Sequence, residues 1–534
     1  MTILDNFVGQ KTIFRDSSCI LGLSDADATI SYDFGVSWNK VAEFKDYEPL
    51  FLERDPYYPQ RAFVFMSGTQ HFFTTDEGKT WQKFQIQPTP IGLWDSVDVS
   101  FNAVQKDLII LNIDRSPNPS SSLGAEKKVY YTKDGFRTDA KLVELDVDTC
   151  VFARSTPDFD SSVSPETIIC TLKTMPKHPA GEGGQSNLIK TTDFFSSFEY
   201  IQHESLKDSE TISLQVESAF IVVILSNPSV LVSKDAANFQ KAEIDCDDGG
   251  ISVLKSTPLS LRLSLTWRPP HFEHEKAALI SDPTGLKFTR SEKKDPFSQS
   301  VSHNGVTFEN FRVSEREHVT KYSVDDGRTW KSLEIIHDNF CKVEEGCSLH
   351  FDGRWPTLIQ PGLLIASGIN GKVYSKDYSG VYNQLSDENT YISRDGGASW
   401  KFAFSCASRV TRADQGNIIV AIPIPGYEDP VNQFHYSLDH GNSWLTYDLP
   451  EPLAALSVST ISNMPGTKIV ISAQYKMTPK YIVYSVDFKG ALRDVDTCAK
   501  AGGIEQMRGH KEQLFQMPNG QCLLKRTSGN YEQA

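Results

Sequence analysis

The chain has 534 residues, 39% of them hydrophobic and 23% charged, the balance of an ordinary globular fold. Its net charge of −15 argues against nucleic acid or anionic lipid as a main partner, because phosphates need a basic face, and leaves basic or neutral polypeptides compatible. No apolar run approaches the roughly 20 residues of a membrane-spanning helix.

The N-terminal MTILDNFVGQK lacks the basic start, apolar core and small-residue cleavage site of a signal peptide, so none is expected. The first informative element is the octet SYDFGVSW, Ser31 to Trp38, entered from the apolar run ATI. It returns as TTDEGKTW (74–81), SVDDGRTW (323–330), SRDGGASW (393–400) and SLDHGNSW (437–444), each led in by another apolar run. In each, an Asp (Asp33, Asp76, Asp325, Asp395, Asp439) can accept backbone N–H bonds across a turn. A Gly (Gly35, Gly78, Gly327, Gly397, Gly441) can take the positive φ of a tight hairpin. A Trp (Trp38, Trp81, Trp330, Trp400, Trp444) opens the returning strand and can bury its face. Nothing in the octet is placed as a nucleophile or proton donor, so it reads as a structural hairpin.

Between the octets, strand-forming runs rich in Val, Ile, Thr, Phe and Tyr are bounded by Gly, Asp, Asn and Pro. The most apolar of them, Ala219 to Leu225, reads as a buried strand. Residues 116–128, 175–187 and 291–305 read as exposed loops. Degenerate octets fill the intervals at Asp134, Asp193, Asp235, Pro283 (in the Asp place) and Asp487. The ten positions from 33 to 487 recur at about 50 residues, which suits four-stranded propeller blades and predicts a ten-bladed β-propeller.

Other candidate chemistries are weak. Asp245, Asp247 and Asp248 in DCDDGG lack the spacing and glutamate of a calcium loop. His271 and His274 have His-x-x-His spacing in a Pro-rich loop, without the helix that would aim both at zinc. No cofactor or metal is called for. Asp boxes occur in sialidases, but the Arg-Ile-Pro segment of those enzymes is absent. A pair of glycosidase carboxylates can always be nominated among 68 acidic residues, so nomination decides nothing.

Nine cysteines include no Cys-x-x-Cys pair. Cys150 and Cys170 bracket about one hairpin, Cys341 and Cys347 enclose CKVEEGC, and Cys498 and Cys522 bracket the segment after the last repeat. These are either local disulfides or buried thiols. The pairing of Cys19, Cys246 and Cys406 is open, and the chain has no Asn-x-Ser/Thr acceptor.

Taken as a set, YSVDDGRTW, CKVEEGCSLHFDG, TYISRDGGASWKFAF, QGNIIVAIP and HYSLDHGNSW resemble the lumenal domain of sortilin-type receptors, the vacuolar protein-sorting receptors of fungi included. The similarity is strongest over 320–450 and extends over 10–495. The resemblance implies an all-β, ten-bladed propeller over residues 1–495, followed by the start of a small cysteine-rich module over 496–534. It implies no enzyme. The expected partners are peptides or propeptides of soluble hydrolases, bound in the central tunnel between Golgi and endosome or vacuole. Cys150–Cys170 and Cys341–Cys347 resemble the family's propeller disulfides, and Cys522 its closing cysteine after RGHKEQLFQMPNGQC. Met507 stands where the family pattern expects a cysteine, and the membrane anchor and sorting tail lie in a segment absent from this sequence. The alternatives are a sialidase-like Asp-box hydrolase, or a decayed paralogue without cargo. Cargo contacts are not assignable from the sequence.

Overall fold

The computed structural model describes residues 2–491 apart from connecting segments, of which the longest are 116–125, 174–186, 268–274, 295–300, 337–347, 375–387, 425–430 and 461–466. Beyond 491 it describes the strands Gln513–Gln516, Cys522–Lys525 and Tyr531–Gln533. Strands make up nearly all of the regular structure. The remainder is three short 3₁₀ turns, Ala42–Phe44, Glu204–Leu206 and Asp414–Gly416, with no α-helix among the described residues.

The basic unit is a four-stranded antiparallel meander whose spatial order follows the chain. One unit runs Pro49–Arg54, Ala62–Met66, Gln70–Thr74, Gln82–Gln85, and the next runs Ser96–Phe101, Ile109–Arg115, Glu126–Thr132, Lys141–Leu142. Second strands such as Ala62–Met66 and Phe220–Leu225 are buried at every residue. They read as continuous apolar runs because neighbouring sheets cover both their faces. Fourth strands such as Asn39–Lys40 and Gln240–Lys241 are two exposed residues long, which leaves little edge for pairing with another chain.

Among the described residues the core is divided along the ring. Each apolar cluster joins two successive units: Leu21, Ile30, Val64 and Phe72 in one, Phe63, Phe84, Ile109 and Tyr130 in the next. The same alternation continues through Ile169 with Val223, and then Phe220 with Leu263. The first strands of successive units also contact each other, as Val147–Phe152 does Thr211–Glu217. The ring closes where Thr2–Asp5 pairs antiparallel with Lys480–Asp487, in register Thr2↔Val483, as the outermost strand of the last sheet. This is a β-propeller.

The blade count corrects the expectation of ten. The strands of the ring form nine sheets, because the units carrying positions 283 and 325 share one nine-stranded sheet. The pairing Lys294↔Phe311 joins Phe288–Lys294 to Val306–Arg312. Residues 291–305, expected as an exposed loop, instead contain the end of one strand and the strand Val301–His303. Lys and Ser residues at a sheet edge kept the segment polar enough to look like a loop.

The Asp-box rim and the candidate ligand-binding tunnel

Each octet forms the turn between the third and fourth strands of its unit, at the outer rim. In the first, Asp33 Oδ1 accepts from Ser37 N at 2.8 Å and from Ser31 Oγ at 2.9 Å, and Asp33 Oδ2 accepts from Ser37 Oγ at 2.6 Å. Ser31 Oγ in turn accepts from Gly35 N at 2.7 Å. Asp76 does the same with Thr74 and Thr80, Asp325 with Ser323 and Thr329, Asp395 with Ser393 and Ser399, and Asp439 with Ser437 and Ser443. Burial, the largest single influence, would raise these carboxyls. The summed hydrogen bonds outweigh it and hold them below the usual carboxylate range, Asp325 at about 2.

The glycines have a second duty. A Cβ on Gly78 would stand 2.5 Å from Ile30 Cδ1, one on Gly327 3.0 Å from Ile280 Cδ1, and one on Gly441 2.5 Å from Ile392 Cδ1. Each of these isoleucines belongs to the preceding third strand, so the octet locks onto the unit before it. Where the glycine is replaced, Phe136 and Phe195 adopt positive φ and fill the gap instead, Phe136 stacking on Phe84 at 4.4 Å. Only Trp400 is fully buried; Trp38, Trp81, Trp330 and Trp444 are half-buried. Trp81 packs edge-on against Phe44 at 4.8 Å, and Trp444 against Phe404 at 5.0 Å. In the degenerate unit the carboxylate is Asp282, not position 283. Its Oδ1 accepts from Thr284 Oγ1 at 2.6 Å and from Leu286 N at 3.3 Å, so the turn is anchored one residue early, ahead of Pro283, which has no N–H to give.

Cys150 and Cys170 face each other in register on neighbouring strands and are joined by a disulfide. Cys19 is a buried free thiol pushed up to about 12, by burial first and then by Glu77, and Cys406 is a half-buried one. Cys246, Cys341, Cys347 and Cys498 lie outside the described residues, as do His271, His274, Asp245, Asp247 and Asp248. Cys522 opens a strand of the separate three-stranded sheet.

Opposite the rim, the first strand of a unit ends its sheet with no further strand beside it toward the axis, although side chains of the preceding unit bond part of some of these edges, as Asn112 Oδ1 accepts from Cys150 N at 2.9 Å and Ser367 Oγ from Ser408 N at 2.8 Å. Pro49–Arg54, Ser96–Phe101, Val147–Phe152, Thr211–Glu217, Gly249–Thr257 and Ser408–Ala413 all do so. Such edges can pair with an extended peptide. The charges on them are uneven. Glu53 and Asp98 are exposed on one arc, and the Glu53 carboxyl is raised, first by desolvation and then by the Asp98 charge. On another arc stand Lys255, Arg409 and Arg412. There His303 Nε2 donates to Pro356 O at 2.6 Å. Burial is the main cause that lowers the His303 imidazole, and Lys255 and Arg412 add to it. Sequence reasoning missed these lining residues because their only signal is position, a short strand just ahead of each all-apolar one.

Fold and rim together define an Asp-box β-propeller. The Sortilin-Vps10 family (sortilin, neurotensin receptor 3) matches residues 26–458, and the chain belongs to this family. It is 30% identical over 538 residues to the vacuolar protein sorting/targeting protein 10 of Debaryomyces hansenii, covering 90% of this chain and 34% of that protein. The protein of the same name in Candida dubliniensis is 29% identical over 533 residues, covering 91% of this chain and 33% of its own length. The chain thus spans about a third of the length of the curated relatives it matches. A xyloglucanase from Xanthomonas campestris overlays with a TM-score of 0.33 at 10% identity, with 100% of this chain and 86% of the enzyme covered, too distant a likeness to carry an argument. Among the described residues no helix is long and apolar enough to cross a membrane, and no cluster of metal-binding side chains occurs.

Proposed function

We propose that this chain is the lumenal cargo-binding domain of a vacuolar sorting receptor, working between Golgi and endosome or vacuole. The observation that carries the reading is family membership over most of the chain, together with relatives named for vacuolar sorting. The ligands are peptide segments of soluble hydrolase precursors, held along the open inner edges by backbone hydrogen bonds and by the lining charges. The Asp boxes are architecture and perform no hydrolysis. Residues 496–534 are the beginning of a cysteine-rich brace, and Cys341–Cys347 is a second propeller disulfide.

The test is capture by the immobilised chain, produced in an oxidising secretory lumen, of soluble vacuolar hydrolase precursors and of the same hydrolases without their propeptides. Binding of the precursors alone supports the reading. Equal retention of both forms, or of neither, sinks it. Non-reducing peptide mapping gives an independent check, since a lumenal chain carries the Cys150–Cys170 and Cys341–Cys347 links.

A further inference from the structure

The connection between the second and third units ends in Ile91-Gly92-Leu93-Trp94-Asp95, and it is pinned on both sides. Gly68 and Ile91 exchange two backbone hydrogen bonds of 2.8 Å, and Ile91 is buried. Asp95, also buried, accepts from Gly92 N through Oδ2 at 2.8 Å, and its own N–H donates to Gly92 O at 3.2 Å. Arg115 Nε lies 3.8 Å from the same carboxylate. Between these anchors Leu93 and Trp94 stand 64% and 68% exposed. A turn this well built holds two large apolar side chains in water, so the ordering cost of a contact there is met before any partner arrives. Fixed aromatic anchors of this kind dominate binding energies.

The location narrows the partner. The tip leads directly into Ser96–Phe101, whose inner edge is unpaired, and it lies on the face opposite the Asp boxes, at the mouth of the tunnel. Further along that edge is the exposed Asp98, facing Glu53 of the preceding unit across the seam. Arg54, beside Glu53, opposes the mutual repulsion more weakly than Asp98 creates it. Arg115 is already shared between Asp95 and Glu126, the latter at 3.8 Å. The local charge therefore favours a cation.

Resting on the receptor reading above, we propose that Leu93, Trp94 and the edge of Ser96–Phe101 form a docking strip for an extended cargo segment carrying a bulky apolar residue and a basic residue. Trp94 stands in the turn two residues ahead of the strand and Asp98 is the third residue of that strand, so ligand side chains a few positions apart can meet both.

The test uses the full chain and fluorescein-labelled dodecapeptides with a Leu-Phe pair and a Lys-Arg pair four positions apart, in both orders, read by fluorescence anisotropy. Trp94→Ser weakens binding at least tenfold with a nearly unchanged melting temperature, because most of the side chain is already in water in the free protein. Asp98→Asn weakens binding severalfold and flattens its salt dependence. Replacing the apolar pair of the peptide by Ser abolishes binding. The inference is overturned if Trp94→Ser and Leu93→Ser bind like the wild type, if the Ser-substituted peptide binds as tightly, or if the wild type binds no probe. Precursor capture run in parallel separates the two readings. Equal capture by wild type and Trp94→Ser overturns the strip and leaves the receptor function standing. Peptide binding that needs Trp94, without any precursor capture, does the reverse.

Discussion

Asp325 shows how much one carboxylate holds in place. It accepts from Thr329 N at 2.8 Å, from Thr329 Oγ1 at 2.7 Å and from Ser323 Oγ at 2.7 Å, closing the turn on both sides. Asp325→Ala is expected to cost on the order of 2 kcal/mol in urea unfolding, as hydrogen bonds to a charged group do. The carboxyl titrates at about 2 in the fold and near its ordinary value of 3.8 when unfolded. Its contribution is complete above the unfolded value and is lost as pH falls toward the folded one. The gap between wild type and Asp325→Ala should stay constant from pH 7 to pH 5 and shrink below about pH 4. His71 behaves oppositely to an exposed histidine. It is fully buried, with Nδ1 accepting from Met66 N at 3.1 Å, and burial drives its imidazole down to about 3. The unfolded chain takes up the proton near pH 6.5 and the fold refuses it. Stability should therefore decline by about 1.4 kcal/mol per pH unit below 6.5, as far as about pH 3. Unfolding midpoints at pH 7 and 5 would reveal this slope, and its loss in His71→Asn; an unchanged slope would clear His71 of the effect.

At the scale of the element, the hairpin was legible in the sequence and its second partner was not. Asp, Gly and Trp at fixed spacing describe a turn, and the turn is there. That Gly78 must also admit Ile30 Cδ1 depends on how two units meet, which no local pattern encodes. Gly78→Ala combines left-handed backbone strain at φ +78° with that collision and should cost on the order of 2–3 kcal/mol. Ile30→Val removes the colliding methyl, so the double variant should recover the steric part and keep the backbone part. Strict additivity in a double-mutant cycle would refute the lock. The degenerate turn at Pro283 shows the same limit of the local pattern. The octet template places the carboxylate at a fixed offset, whereas the turn needs only an acceptor within reach, and Asp282 supplies it from the neighbouring position. Cys150 and Cys170 lie opposite each other across one antiparallel pair, and converting both to Ala should cost about 2–4 kcal/mol. Unaltered thermal stability of that variant would count against a structural role for the bridge.

Across the whole molecule, a repeat of about 50 residues was sufficient to predict a propeller, because each unit needs neighbours on both faces to bury its second strand. The sequence misled only on separateness. A single backbone pairing at Lys294↔Phe311 merges two units, and pairings between distant edges leave no periodic trace. The tunnel lining was invisible for the same reason, since Glu53 meets Asp98 on one arc, and Lys255 meets His303 on another, through ring geometry and without a shared motif. Closure depends on four N-terminal residues, Thr2–Asp5, laid against Lys480–Asp487. Deleting residues 1–5 should lower the melting temperature and, by baring that strand, give concentration-dependent oligomers in size-exclusion chromatography. A monomer of unchanged stability would show that the last sheet holds without them.

The octets also reach forward as well as back. Tyr32 Oη donates to Gly78 O at 2.7 Å, Lys234 Nζ donates to Pro283 O at 2.9 Å, and Lys133 Nζ sits 4.2 Å from the Phe194 ring centre. These turns thus grip their neighbours, like links fastened into a bracelet whose circumference changes by whole links. The connections between second and third strands join the other ends of the strands and take no part in this grip. A change of length in such a connection should therefore leave the bore of the ring unaltered.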